Sequence, residues 1–191
     1  MKIWIPVLIC LLAFNTNNSF SQETKYKDIY PYIESRNFIE AVPRLKEFLK
    51  VEPDHPSANL QLGMIYEERF RNYHPILQYR PAIKNAENAK TYFLKSNLLI
   101  NEKEIKKIGK KYYTNFAKIN NEGKLEVSFL DVKGKIDSAY IQIDKFLRYM
   151  PGIYDNFTNA VSHYDAASRN FAEINGKYDN LKALYLLNDN D

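Results

Sequence analysis

The chain has 191 residues, of which 45% are apolar and 14% aromatic, enough to bury a core, and its net charge of +4 singles out neither nucleic acid nor membrane as a partner. The single cysteine, Cys10, and the single tryptophan, Trp4, both fall in the first 21 residues. Once that stretch is removed, disulfide, thiolate and cysteine-ligated metal chemistry are excluded, and 3 histidines leave little for a nitrogen-ligated metal.

The amino terminus reads as an export signal. Lys2 supplies the positive start, Ile3 to Phe14 is an uncharged apolar run of 12 residues, and a polar stretch leads to Ser19, Phe20 and Ser21 before Gln22. Small residues three and one before Gln22 suit signal peptidase, whereas a retained span needs about 20 apolar residues. Cys10 lies inside the apolar run behind Leu8 and Ile9, which is no setting for lipidation. Residues 1–21 are therefore expected to be a cleaved signal and residues 22–191 one domain. The ending Phe20-Ser21-Gln22 resembles the export signals of Bacteroidota, which implies a periplasmic, outer-membrane-associated or cell-surface protein.

With only 6 glycines the mature chain is expected to be all-α. Tyr26–Ile33 and Ile39–Val51 form a first helix pair around the turn Ser35-Arg36-Asn37-Phe38. In the second of these, Ala41, Leu45, Phe48 and Leu49 share one face at 3.6 residues per turn. An interior proline costs about 3 kcal/mol, so Pro43 requires that helix to start near Val42. Pro53 ends it. Pro56 opens the next helix, to about Phe70, behind Asp54 or His55 as cap, with Ala58, Leu62, Ile65 and Tyr66 inward. Its partner is Asn85–Ile100. Between them, residues 70–84 are an insert whose Phe70, Arg71, Tyr73, Tyr79 and Arg80 either pack on neighbouring helices or form a recognition surface.

Glu102–Ile119 is a basic amphipathic helix. Lys103, Lys106, Lys107, Lys110 and Lys111 share one face, and Ile105, Ile108, Tyr112, Phe116 and Ile119 the other. The lysine face is either a solvated surface or a dock for an acidic protein segment, glycan or headgroup. A second insert, 120–136, alternates at Leu125, Val127 and Phe129 and carries Gly123 and Gly134; an irregular crossover is expected there in preference to a short hairpin or a strand that pairs with a partner. Asp137–Met150 then pairs with the basic helix. Ile153–Ile174 pairs with Lys177–Leu187 across Asn175-Gly176. The apolar Leu181, Leu184 and Tyr185 of that last helix suggest a missing neighbour, supplied either by self-pairing or by further chain beyond Asp191.

A shift of 98 residues lays Lys46–Pro53 over Asp144–Pro151, Ala41 over Ala139, Leu62 and Gly63 over Ala160 and Val161, and Tyr66 over Tyr164. This spacing resembles the tetratricopeptide repeat, a pair of antiparallel helices of about 34 residues. Gly63 after Leu62 matches the small residue of the family's first helix. Ala41, Ala89 and Ala139 match that of the second, and Pro53 and Pro151 the terminal proline. The resemblance implies an α-solenoid of about four antiparallel hairpins with two inserts, whose axes approach to about 8 Å where side chains are small. It also implies a concave face lined by the first helix of each unit. That face would offer Asn59, Met64, Glu67, Asn156 and Ser162, with Arg71, Tyr73, Tyr79 and Arg80 contributed by the first insert.

Catalytic patterns are absent from the sequence. His55, His74 and His163 stand alone, there is no H-E-x-x-H, G-x-S-x-G or glycine-rich phosphate loop, and the neighbours Glu67 and Glu68 diverge by about 100° on a helix. His163 is expected to make a structural contact. The function expected is a non-enzymatic scaffold of the cell envelope, without metal or cofactor, that binds a segment of another envelope protein. The alternative is a surface glycan-binding or nutrient-capture component that uses Tyr73 and Tyr79.

Overall fold

The computed structural model describes residues 25–177; the export signal and residues 178–187 of the expected last helix lie outside the described residues. Helices dominate: α1 (Tyr26–Glu34), α2 (Phe38–Val51), α3 (Pro56–Arg71), α4 (Tyr79–Leu99), α5 (Glu102–Tyr112) and α6 (Phe129–Lys177). Among the described residues no helix is long and apolar enough to cross a membrane.

The α1–α2 turn closes through two backbone bonds, Asn37 N–H to the Tyr32 carbonyl at 2.8 Å and Arg36 N–H to the Ile33 carbonyl at 3.0 Å. Arg36 is left-handed at φ 56°, where glycine is the usual residue. The Asn37 side chain then caps α2 by accepting from Glu40 N–H at 3.4 Å. Pro43 sits six residues into α2 and not at its start. The hydrogen bond it deletes would have ended on the carbonyl of Ile39, a residue 83% exposed, so water can satisfy that oxygen.

His55 is the residue that caps α3: its Nδ1 accepts from Ala58 N–H at 3.1 Å. This helix is the buried spine of the protein, with Ala58, Leu60, Leu62 and Ile65 enclosed and Ser57 bonded to the Tyr26 hydroxyl at 2.7 Å. α4 lies antiparallel along it. Gly63 admits the Phe93 ring so closely that a Cβ there would come within 2.9 Å of it, and Tyr66 stacks on Tyr92 at 5.8 Å. Ala82, Ala86 and Ala89 keep the buried face of α4 narrow. Because α4 begins at Tyr79 and not at Asn85, the expected insert shrinks to the loop 72–78.

Beyond α5 the structure departs further from expectation. The basic helix stops at Tyr112, a 3-10 turn follows at Thr114–Phe116, and β1 (Lys118–Ile119) pairs antiparallel with β2 (Leu125–Glu126). The second insert is thus a short hairpin turning at Gly123, φ 76°. Ile119, expected on the buried face, is exposed because the helix ends seven residues before it.

The second helix expected in the third unit, Asp137–Met150, and the first expected in the fourth, Ile153–Ile174, are parts of one helix. α6 runs unbroken for 49 residues through Pro151 and through Asn175-Gly176, and it packs antiparallel on α4 instead of pairing with α5. Asn97 donates to Asp137 at 2.9 Å, Lys90 to Asp144 at 2.6 Å, and Tyr79 stacks on Tyr154 at 3.9 Å, one rung after another. Pro53 and Pro151 therefore act differently. After Pro53, the residues Asp54-His55-Pro56 provide a new cap and a new first turn. Met150-Pro151-Gly152-Ile153 offers neither, so Pro151 removes only the bond to the Leu147 carbonyl and the helix continues. Tyr164, placed over Tyr66 by the repeat, is 73% exposed, and Ala160 and Val161 are exposed with it.

Candidate partner-binding groove

A concavity of about 820 Å³ opens between α1, α3 and the start of α6. A second hollow of about 500 Å³ shares Met64, Asn115 and Lys135 with it, so the two form one continuous groove toward Leu130. Its floor is apolar, from Ile33, Ile65 and Met64. Gln61, itself buried, is held by a bond from its Nε2 to the Tyr112 carbonyl at 3.4 Å. Tyr30 stands at one wall with its hydroxyl 3.4 Å from that of Thr114; burial pushes this phenol above its ordinary range, so it remains a neutral O–H.

Charge lines the rim. The left-handed Arg36 presents its guanidinium to Glu68, joining the α1–α2 turn to α3. Arg71 donates to Glu67 at 2.7 Å and to Gln142 at 2.8 Å, tying α3 to α6. Glu34 and Lys135 line the same groove and form no ion pair among the described residues. Two pairs are thus satisfied internally, while the Glu34 carboxylate and the Lys135 ammonium, unpaired among the described residues, face the groove.

Of the residues expected on the concave face, Met64, Glu67 and Arg71 do meet in this groove. Asn59 does not. It is 1% exposed, and its amide donates to the carbonyls of Pro53 at 3.0 Å and His55 at 2.9 Å, so it braces the α2–α3 turn. Tyr73 is half-buried in the loop 72–78, Tyr79 has one ring face covered by Tyr154, and Arg80 is exposed outside the groove. Asn156, Ser162 and His163 are exposed on the distal part of α6, where His163 forms no side-chain hydrogen bond among the described residues. The five lysines of α5 are all exposed opposite buried Ile105 and Tyr112, and one of them, Lys106, reaches Glu102 at 3.4 Å. Tyr30, Arg36, Gln61, Glu68 and Lys135 are groove residues that the sequence reading misses. Lys135 escapes because it lies in a segment expected to be a crossover, and Arg36 because a turn without glycine gives no sign of its left-handed geometry.

Among the described residues no group of three or more His, Cys, Asp or Glu side chains is placed to hold a metal ion. No protein-family model matches the chain, and no curated protein or solved structure matches it.

Proposed function

We propose that this is a non-enzymatic tetratricopeptide-like module of the cell envelope that holds an extended segment of a partner protein in the groove between α1, α3 and α6. The tetratricopeptide likeness is supported by the α1/α2 and α3/α4 hairpins, by Gly63 against Phe93, and by fully buried Ala41 and Ala89. The observation that carries the binding role is the groove itself. It has an apolar floor at Ile33 and Met64 flanked by Glu34 and Lys135, unpaired among the described residues, which suits a segment with an apolar side chain between a basic and an acidic one.

The test places a photoreactive residue at Met64, and in a control at exposed Thr91 on α4, and irradiates each in a cell-envelope extract at low and high salt. A defined protein joined through position 64 alone, and lost in Glu34→Lys, is the expected result. Equal labelling at both positions, or retention of polysaccharide with no protein, refutes it; polysaccharide would turn attention to Tyr73 and Tyr79.

A further inference from the structure

The spacing that packs α6 on the rest of the protein does not stop where the packing stops. Val132, Ile136, Ala139, Ile143, Phe146 and Met150 follow steps of four and three residues and are buried or half-buried. The same alternation continues without a slip through Phe157, Tyr164 and Phe171 at one heptad position and Ile153, Ala160, Ala167 and Ile174 at the other. These distal residues have no neighbouring helix among the described residues. α4 starts at Tyr79, opposite Tyr154, and α6 runs on to Lys177, about 35 Å farther at 1.5 Å per residue. Phe157 is 40% exposed, Phe171 61% and Ile174 46%.

We propose that residues 157–174 of α6 form an antiparallel two-helix seam with the same residues of a second copy of this chain. A strict 3–4 repeat is the period of a left-handed coiled coil, and here it continues a seam already used inside the protein. The side-chain sizes select the direction. In a parallel pair Phe157, Tyr164 and Phe171 would each place ring against ring, and Ala160 and Ala167 alanine against alanine. In an antiparallel pair Tyr164 meets Ala167 of the second copy, Phe171 meets Ala160, and Phe157 meets Ile174, so large faces small or aliphatic in every layer.

The flanking positions also permit self-pairing. Tyr154, Val161 and Ser168 on one side and Asn156, His163 and Asn170 on the other carry no carboxylate, lysine or arginine, so two identical copies bring no strong like charges together. A lipid surface fits less well. The helix from 153 to 177 carries Asp155, Asp165 and Glu173 against Arg169 and Lys177, and an interfacial helix is normally basic on its polar face. A fully buried ring covers about 150–250 Å², so these partly exposed rings offer on the order of 100 Å² each. The six rings of two copies then supply about half of the ~1,200 Å² at which specific interfaces begin, with Val161 and Ile174 adding to it.

The test is sedimentation equilibrium of the chain from Gln22 onward, beside the double variant Ala160→Arg, Ala167→Arg. Both alanines are exposed in one copy, so the variant should keep its helix content and melting temperature while association weakens at least tenfold. Orientation is read from spin labels on Asp155→Cys, which an antiparallel pair holds about 30 Å apart along the axis and a parallel pair sets side by side. A wild type that stays monomeric overturns the proposal, as does a dimer indifferent to the arginines. If that monomer's double variant also becomes cleavable beyond Lys177, the occupant is the chain's own following segment. A short label distance overturns the antiparallel arrangement.

Discussion

Gly63→Ala isolates the closest helix contact in the fold. The added Cβ would lie 2.9, 3.0 and 3.2 Å from three carbons of the Phe93 ring, whereas carbon atoms rest at about 3.5–4.0 Å, so the ring must retreat by roughly half an ångström or more. It has little room to do so, since Phe93 is 2% exposed. Overpacking of this kind costs about 1–3 kcal/mol, and the gain in helix propensity from glycine to alanine returns about 0.5–1 kcal/mol. The net expectation is a loss of about 0–2.5 kcal/mol, centred near 1, or a fall in melting temperature of up to roughly 10 °C for a chain of this size. Gly134→Ala is the control. It also lies inside a helix, but nothing stands within 4 Å of its new Cβ, so only the propensity gain applies and the protein should become slightly more stable. Urea denaturation of both variants gives the comparison, and Phe93→Leu added to Gly63→Ala should recover part of the loss. Equal stability of the two alanine variants would refute the close-contact account.

Arg36→Gly should leave stability unchanged or raise it by up to about 1 kcal/mol, because glycine is free at φ 56° and the exposed pair with Glu68 is worth little, yet it should weaken photocapture at Met64; a variant that binds as well as wild type would remove Arg36 from the site. His55 has its pKa lowered by burial, so the unfolded chain binds its proton first as pH falls: stability should be complete above about pH 6.5, decline below it, and level off once the folded histidine also titrates. His55→Asn keeps a capping acceptor without a titrating group, and thermal melts across pH 5–8 should lose that slope. Converting Lys103, Lys106, Lys107, Lys110 and Lys111 to glutamine should move stability by no more than about 0.5 kcal/mol, since all five are exposed; a collapse of the fold would show that the face is structural.

Amphipathic period is enough to find α2, α3 and the split faces of α5, because there each apolar face has a partner in the fold and the period is therefore a packing statement. Small residues are legible too: Gly63 sits at a close approach to Phe93, and Ala41 and Ala89 are fully buried. Two kinds of information are not legible. Where a helix stops depends on the residues just after its proline, and Pro53 and Pro151 have opposite outcomes because a capping residue succeeds the first and none succeeds the second. The second kind is which surfaces face each other across the fold, which decides the groove: Lys135 from the start of α6 and Arg36 from the α1–α2 turn are 99 positions apart in sequence and line one wall system.

The heptad of α6 links both kinds. Its spacing is visible in the sequence from end to end, yet spacing alone does not say whether a stripe meets its own domain or another molecule. The structure divides it at Tyr154, the last position that α4 can cover. Proximal to that point, aromatic and branched residues fill a core; distal to it, rings and alanines alternate in an order that fits their own inverse. The groove and the seam lie on different parts of the chain and use different chemistry, one charged and open at α1 and α3, the other apolar along the far end of α6. A paired molecule would therefore carry two grooves separated by the length of the joined helices. It could hold two partner segments at once, and for partners that present both, the second capture becomes an intramolecular event with a raised effective concentration. Ala160→Arg with Ala167→Arg should then reduce the apparent affinity for a bivalent partner while leaving that for a single segment unchanged. Equal loss for both would mean that the distal helix contacts the segment itself.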